Sequence, residues 1–221
     1  MEQNAVRPSL VCVVDDDDEV RSALGSLLRS AGHEFRGFDG PEAYLAAESS
    51  EKANCLILDV HLRGVDGLDF QQALVESANY VPVVVISGQG DIPMTVRGMK
   101  AGAVNFLAKP FDDEEMLRAV EEAIGRDRAR REAAAQEGDV RVRYQGLTGR
   151  EREIMGLVTA GLMNKQVAGH LGLSEITVKI HRGNLMKKMA AESLADLVRM
   201  AESLGVRDVS VSRYGTSAAA H

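Results

Sequence analysis

The sequence has no long apolar run and few cysteines. No stretch approaches the ~20 apolar residues that a membrane-spanning helix needs, and residues 1–8 lack the charged-then-apolar pattern of a signal peptide. These absences predict a cytoplasmic protein that does not act at a membrane. The two cysteines, Cys12 and Cys55, lie within short apolar runs. We therefore expect two small buried side chains and neither a disulfide nor a metal-binding pair.

Charge is divided unevenly along the 221 residues. Residues 1–124 carry 10 Lys and Arg against 22 Asp and Glu, a net charge of −12. Residues 147–221 carry 10 against 7, a net charge of +3. A chain of this length suits two small domains. The charge split argues against nucleic-acid binding by the first domain and permits it for the second.

Short apolar runs alternate with helical patterns through residues 1–124. The run Asn54–Asp59 is apolar enough for a strand buried on both faces. Four further strands are predicted at residues 10–14, 34–38, 82–87 and 103–107. Strict alternation of strand and helix predicts an α/β fold in which a five-stranded, parallel, doubly wound sheet carries helices on both faces.

Polar residues stand at the ends of four predicted strands. Asp15 and Asp16 follow the first, Asp59 ends the third, Ser87 ends the fourth and Lys109 follows the fifth. The carboxyl ends of parallel strands share one edge of the sheet, where such folds bind ligands. Convergent carboxylates suit Mg²⁺, with Mn²⁺ as an alternative, and a cation there would permit phosphoryl transfer to Asp59. Taken alone, Asp59 fits a turn cap equally well.

Four segments of the first domain resemble a response-regulator receiver domain, which has the flavodoxin-like fold of CheY. They are Val13–Asp16, Leu56–Asp59, Val85–Gly88 and Ala108–Phe111. The resemblance covers residues 9–124 and implies that Asp59 is the phospho-acceptor, assisted by Ser87 and Lys109. The implied metal ligands are Asp15, Asp16, Asp59 and the backbone carbonyl of His61. Ser87 and Phe106 would form the activation switch, although an ordinary core aromatic explains Phe106 equally well.

Arg63 departs from the family pattern, which usually has proline at that position. Its cation lies near the acceptor in the sequence. It would either affect the lifetime of the phosphoryl group or point into solvent.

Residues 125–146 are rich in Arg, Ala and Glu, which are good helix formers. They predict a helical linker that continues the last receiver helix and stops at Gly138. The arginines between residues 126 and 131 favour a solvated helix face over contact with DNA. Residues 209–221 are predicted to be a disordered tail.

Capping signals divide residues 147–208 into four predicted helices. Thr148 and Glu151 have the spacing of a capping box, and Asn164, Ser174 and Ser193 precede three further helical patterns. The short turn before Ser174 predicts a small all-α, helix-turn-helix domain. Its third helix, residues 175–189, combines apolar residues with cations, as a DNA-recognition helix requires. A three-helix bundle with a basic surface is the alternative.

The second domain resembles the LuxR-type helix-turn-helix in Leu147–Glu153, Asn164–Ala168, Leu173–Arg182 and Met186–Met189. The resemblance implies that Lys179 and Ile180 face the major groove. The implied contacts to the DNA backbone are Lys165, Thr177, His181, Arg182 and Lys188. The implied dimerisation residues are Leu194, Leu197, Val198 and Ala201, which could instead all pack inside the domain. Gly183 replaces a lysine of some relatives.

Both resemblances together imply a response regulator of the NarL/FixJ type. A sensor histidine kinase would phosphorylate Asp59, and a homodimer would then bind double-stranded promoter DNA, with RNA polymerase as a further partner. The chain would be no enzyme beyond weak autodephosphorylation. One rival is a Mg²⁺-dependent phosphohydrolase with Asp59 as nucleophile, although His61 stands where such enzymes carry a second acid. Another is a regulator that binds DNA without phosphorylation.

Overall fold

The computed structural model describes residues 8–47, 52–77, 79–88 and 92–207, so the predicted tail at 209–221 lies outside the described residues. The chain forms two compact units, residues 1–131 and 132–221. The elements of the first unit are β1 (Leu10–Val14), α1 (Asp18–Ser30), β2 (Glu34–Phe38), α2 (Pro41–Ala46), β3 (Cys55–Asp59), β4 (His61–Leu62), β5 (Val65–Asp66), α3 (Gly67–Glu76), β6 (Val83–Ser87), α4 (Ile92–Lys100) and β7 (Asn105–Ala108). Helix α5 (Asp113–Gln145) begins in this unit. The second unit contains α6 (Gly149–Thr159), α7 (Asn164–Leu171), α8 (Glu175–Met189) and α9 (Leu194–Ser203).

Five strands form one parallel sheet in the order β2-β1-β3-β6-β7. The order reverses direction at β1, so a crevice opens beside β1 and β3 at their carboxyl ends. The predicted five-stranded, doubly wound α/β fold is therefore confirmed. The hairpin β4–β5, which pairs His61 with Asp66, was not predicted. It is too short to produce an alternating pattern in the sequence.

Side chains of the central strand β3 point alternately to the two faces of the sheet, and both faces are covered. Cys55 and Ile57 point into a core shared with α1 and α5, and Leu56 and Leu58 point into a second core shared with α2 and α3. All four side chains are fully buried. The same alternation buries Cys12 and Cys55 in different cores, where no disulfide joins them, which confirms their prediction as small buried side chains.

Most of the predicted capping signals are correct. The Thr148 hydroxyl accepts a hydrogen bond from the Glu151 amide at 3.3 Å, and the Glu151 carboxylate accepts one from the Thr148 amide at 2.8 Å. Ser174 and Ser193 cap α8 and α9. The prediction that Asn164 caps α7 is wrong, because the cap is Met163 and Asn164 is the first helical residue.

Helix α5 does not stop at Gly138, contrary to the prediction, and continues to Gln145. A glycine within a helix costs only about 1 kcal/mol relative to alanine, which the flanking helix formers outweigh.

The first turns of the predicted linker also belong to the first unit. Fully buried Asp127 accepts hydrogen bonds from Arg130, Arg131 and Asn54, and Arg131 also donates to the Ala53 carbonyl at 3.0 Å.

Gly67 allows α3 to approach the end of β3. Its amide donates to the Val60 carbonyl at 2.8 Å, and a Cβ at this position would lie 2.1 Å from the carbonyl oxygen of Asp59. No side chain can therefore be accommodated here without moving α3 away from β3.

We predict that Gly67→Ala lowers the free energy of unfolding by about 3 kcal/mol, because the added methyl group overpacks against backbone. Gly125→Ala is the matched control, since a Cβ at this exposed helical position meets nothing within 4 Å. It should raise stability by about 0.5–1 kcal/mol. Urea unfolding measures both changes. Equal stabilities of the two variants would contradict the close approach.

Candidate functional site

Four strands bring their polar end residues together at the carboxyl edge of the sheet. Asp15 follows β1, Asp59 ends β3, Ser87 ends β6 and Lys109 follows β7. Asp15, Asp59 and Ser87 are all buried. The fixed register of neighbouring parallel strands aligns these ends, so the positions of the side chains follow from the sheet itself.

The Lys109 ammonium lies between two carboxylates. Its Nζ donates to Asp15 Oδ2 at 2.7 Å and to Asp59 Oδ2 at 2.9 Å. Burial on its own would lower the pKa of Lys109, but hydrogen bonds and attraction to both carboxylates outweigh it, and the pKa is raised. Lys109 is therefore a fixed cation that links β1, β3 and β7.

Asp15 is held less favourably in its ionised form. Burial raises the pKa of its carboxyl above the ordinary value of 3.8, and the hydrogen bonds from Lys109 and the Asp17 amide offset only part of this effect. The negative charge of Asp59 raises the pKa further. Ionisation of Asp15 is therefore unfavourable mainly because its carboxyl is buried.

Asp16 completes a cluster of three acids. One carboxylate oxygen from each of Asp15, Asp16 and Asp59 lies within 4.8 Å of the others. Hard carboxylate oxygens at this separation, two of them buried, match the ligands that Mg²⁺ prefers. The residues present therefore fit a divalent cation. The sequence did not reveal that Arg63 Nε donates to Asp16 Oδ2 at 3.1 Å, with 85% of the arginine side chain exposed.

The two residues implied in switching lie on β6 and β7. Ser87 Oγ lies 3.5 Å from His61 Nδ1 and 3.5 Å from Met94 Sδ of α4, and the His61 amide donates to Asp59 Oδ1 at 3.2 Å. Phe106 is partly buried against the core below α2 and α3. A Cβ on Gly98 of α4 would lie 3.4 Å from its ring, so the ring packs directly beside that helix.

The second unit offers a separate candidate site on α8. Val178, Leu185 and Met189 are buried in the core of this unit. Of the residues implied in DNA binding, Lys165, Lys179 and Ile180 are exposed, whereas Thr177, His181 and Arg182 are partly buried. Helix α8 therefore has one face in the core and an opposite face available to a partner.

Some implied DNA contacts already have partners within the domain. Lys188 Nζ donates at 2.8 Å to the buried Glu151 carboxylate, and Arg182 donates to Asn164 Oδ1 at 3.0 Å. Burial disfavours the Glu151 carboxylate, but hydrogen bonds from Lys188 and Thr148 outweigh it and lower its pKa. The capping box identified Glu151 from the sequence, but its ion pair joins α6 to α8 across a gap that no local pattern encodes.

The structure narrows the predicted dimerisation residues on α9. Leu197 and Ala201 are fully buried in the core of their own unit, because they point towards α6. Leu194 is exposed and Val198 is partly exposed. Only these two remain accessible to a second copy of the chain.

Comparison with known protein families follows the same division of the chain. The family described as "Response regulator receiver domain" matches residues 11–121. The family described as "Bacterial regulatory proteins, luxR family" matches residues 145–201. Within the described part of the chain, no helix is both long and apolar enough to span a membrane.

Individual relatives align with nearly the whole chain. Nodulation protein W of Bradyrhizobium diazoefficiens is 50% identical over 198 residues, which cover 90% of this chain and 87% of that protein. Transcriptional regulatory protein FixJ of Azorhizobium caulinodans is 41% identical over 198 residues, which cover 89% of this chain and 93% of that protein. The structure of the response regulator StyR is similar with a TM-score of 0.78 and 44% identity, covering 88% of this chain and 98% of that one.

We predict that Asp15→Asn raises the free energy of unfolding at pH 7 in the absence of divalent cations. Because the folded-state pKa of Asp15 is raised, its ionisation destabilises the fold as pH rises through that pKa, and the penalty is absent below the unfolded value of 3.8. The gain should therefore shrink as pH is lowered towards that value. Urea unfolding in EDTA across this pH range measures it.

Asp39→Asn is the control, because Asp39 follows β2 at the same edge of the sheet but is exposed. Its stability at pH 7 should match that of the unmodified protein. A less stable Asp15→Asn variant at pH 7 would contradict the unfavourable ionisation of the buried Asp15 carboxyl.

Proposed function

The chain belongs to the NarL/FixJ family of two-component response regulators, and from this premise we propose that Asp59 is its phospho-acceptor and α8 its DNA-recognition helix. A sensor histidine kinase would supply the phosphoryl group, and double-stranded promoter DNA would receive the output. The observation that carries the first assignment is the Lys109 ammonium between Asp15 and Asp59, beside a third carboxylate.

In the phosphorylation step, a carboxylate oxygen of Asp59 attacks the phosphorus atom of a phosphohistidine. The new P–O bond forms as the P–N bond breaks, and the imidazole leaves. Lys109 offsets the charge of the incoming phosphoryl oxygens, and the Ser87 hydroxyl donates to one of them. Mg²⁺ held by Asp15, Asp16, Asp59 and the His61 carbonyl would supply further positive charge, with Mn²⁺ as a substitute.

The same contacts would couple phosphorylation to a conformational change. Ser87 ends β6 and adjoins Met94 of α4, so movement of its hydroxyl towards the phosphoryl group alters the packing beneath this helix. Phe106 packs next to Gly98 of α4 and can fill the space that opens. The surface around α4 and β7 then changes, and two phosphorylated receivers associate as a homodimer.

The output domain reads DNA through the exposed side of α8. Lys179 and Ile180 face the base edges of the major groove, and the contacts to the DNA backbone are Lys165, Thr177, His181, Arg182 and Lys188. Leu194 and Val198 of α9 join two such domains, so each binds one half-site. RNA polymerase is a further partner at the promoter. Since its target is promoter DNA, the protein acts in the cytoplasm.

Hydrogen bonds of the first unit also set the limits of the proposed domains. The receiver extends through Arg131, because the Asp127 cluster ties the first turns beyond residue 124 to Ala53 and Asn54. The remainder of α5 connects it to the DNA-binding domain at residues 147–208. Catalysis by the receiver is limited to slow loss of its own phosphoryl group.

We predict that acetyl phosphate with Mg²⁺ adds the mass of one phosphoryl group to the full-length protein. Asp59→Ala should abolish this gain, because the attacking oxygen is lost, and EDTA should prevent it in the unmodified protein. Asp39→Asn should retain it. Intact-protein mass spectrometry provides the measurement. A gain that survives Asp59→Ala would refute the acceptor assignment, and repeated turnover of a phosphomonoester would favour a phosphohydrolase.

We also predict that Lys179→Ala weakens binding to a duplex selected by the full-length protein by about tenfold or more, as loss of one base-directed cation should. Arg207→Ala is the control, because it removes the same charge from the same domain, where the arginine pairs with Glu202. Quantitative footprinting compares the variants. An unchanged footprint for Lys179→Ala would overturn the assignment of α8.

A further inference from the structure

Two large aliphatic side chains on α8 are left outside the core. Ile176 is 74% exposed and Ile180 is 60% exposed, although the same helix buries Val178, Leu185 and Met189 completely. Isoleucine is also a weaker helix former than the straight-chain residues around it. Neither folding of the domain nor stability of the helix accounts for these two residues.

Helical geometry brings the two isoleucines into one patch. Successive residues of an α-helix are rotated by ~100°, so both lie about 160° from Val178 and point away from the core. Residues four positions apart are neighbours, with Cβ atoms about 6 Å apart. Gly183 lies on the same side and has nothing within 4 Å of its Cβ position. It leaves this surface flat and open to close approach.

Charge around the patch indicates the kind of partner. Lys179 and Lys187 of α8 are exposed, and residues 147–221 carry a net charge of +3. Cations beside this apolar patch fit DNA as the partner, because lysine side chains can bind the phosphates while the patch enters the groove. The apolar feature of the major groove is the C5-methyl group of thymine. An isoleucine has no donor or acceptor with which to read the other base edges.

We propose that Ile176 and Ile180 read thymine methyl groups, so that the half-site of this regulator contains T·A pairs opposite both residues. The proposal rests on the assignment of α8 as the recognition helix and adds the class of base that it selects. Gly183 permits the helix to lie close enough for both side chains to reach the groove floor.

The test removes single methyl groups from the DNA. The full-length protein, treated with acetyl phosphate and Mg²⁺, first selects its site from random duplexes, and each thymine is then replaced by uracil, which lacks only the C5-methyl. We expect binding to weaken about fourfold at a contacted position, which corresponds to burial of one methyl group. Ile176→Ala should abolish the sensitivity at one position, and Ile180→Ala should abolish it at another.

Val142→Ala is the matched control, because Val142 is a 68% exposed aliphatic residue of α5 in the same unit. It should keep the full uracil sensitivity. All three substitutions replace exposed side chains, and unchanged thermal unfolding verifies that the variants are folded.

Each alternative has a distinct result. The proposal is overturned if uracil does not weaken binding of the protein without substitutions, or if it weakens binding of the alanine variants equally. Either result leaves the role of Lys179 intact. A shift in sedimentation of the Ile176→Ala or Ile180→Ala protein without DNA, together with unchanged uracil sensitivity, identifies a protein interface and also overturns it. If the full-length protein selects no sequence after treatment with acetyl phosphate and Mg²⁺, both this proposal and the function assigned to α8 are overturned.

Discussion

The hydrogen bonds from the Lys109 ammonium to Asp15 and Asp59, at 2.7 and 2.9 Å, hold the carboxyl edge of the sheet together. Removing this cation would leave two buried carboxylates facing each other, an arrangement that is strongly destabilising. The contact requires β1, β3 and β7 to end at the same level. The parallel register and the two buried cores of the sheet therefore serve to position one lysine between two acids.

The Asp15 carboxylate is held in a buried environment that disfavours its charge. Burial raises the pKa of Asp15, which means that the folded protein carries its charge at an energetic penalty. Stability is therefore given up at a cluster of carboxylates that fits a divalent cation, as is common where function and folding compete. Arg63, paired with Asp16, supplies a second positive charge from a loop. Because this arginine is largely exposed, its contact is readily exchanged for water or for another cation.

Charged residues of the second unit fix α8 to the rest of its domain. Glu151 both caps α6 and pairs with Lys188, so the C-terminal part of α8 is fixed through a buried carboxylate. Arg182 is similarly attached to Asn164. Lys179, Ile176 and Ile180 have no such role in the core and remain on the outer face of α8. Rigid attachment of one face allows the other to present its side chains in a constant arrangement.

Local patterns in the sequence determined the order of strands and helices, most capping residues and the polar strand ends, because periodicity and capping depend on neighbours within a few residues. They also identified Asp59, Ser87 and Lys109. They could not reveal that Arg63 pairs with Asp16, that Asp127 ties α5 to Asn54, or that Leu197 and Ala201 face inward. The tertiary structure decided these points, because each depends on which residues, distant in sequence, meet when the elements pack together.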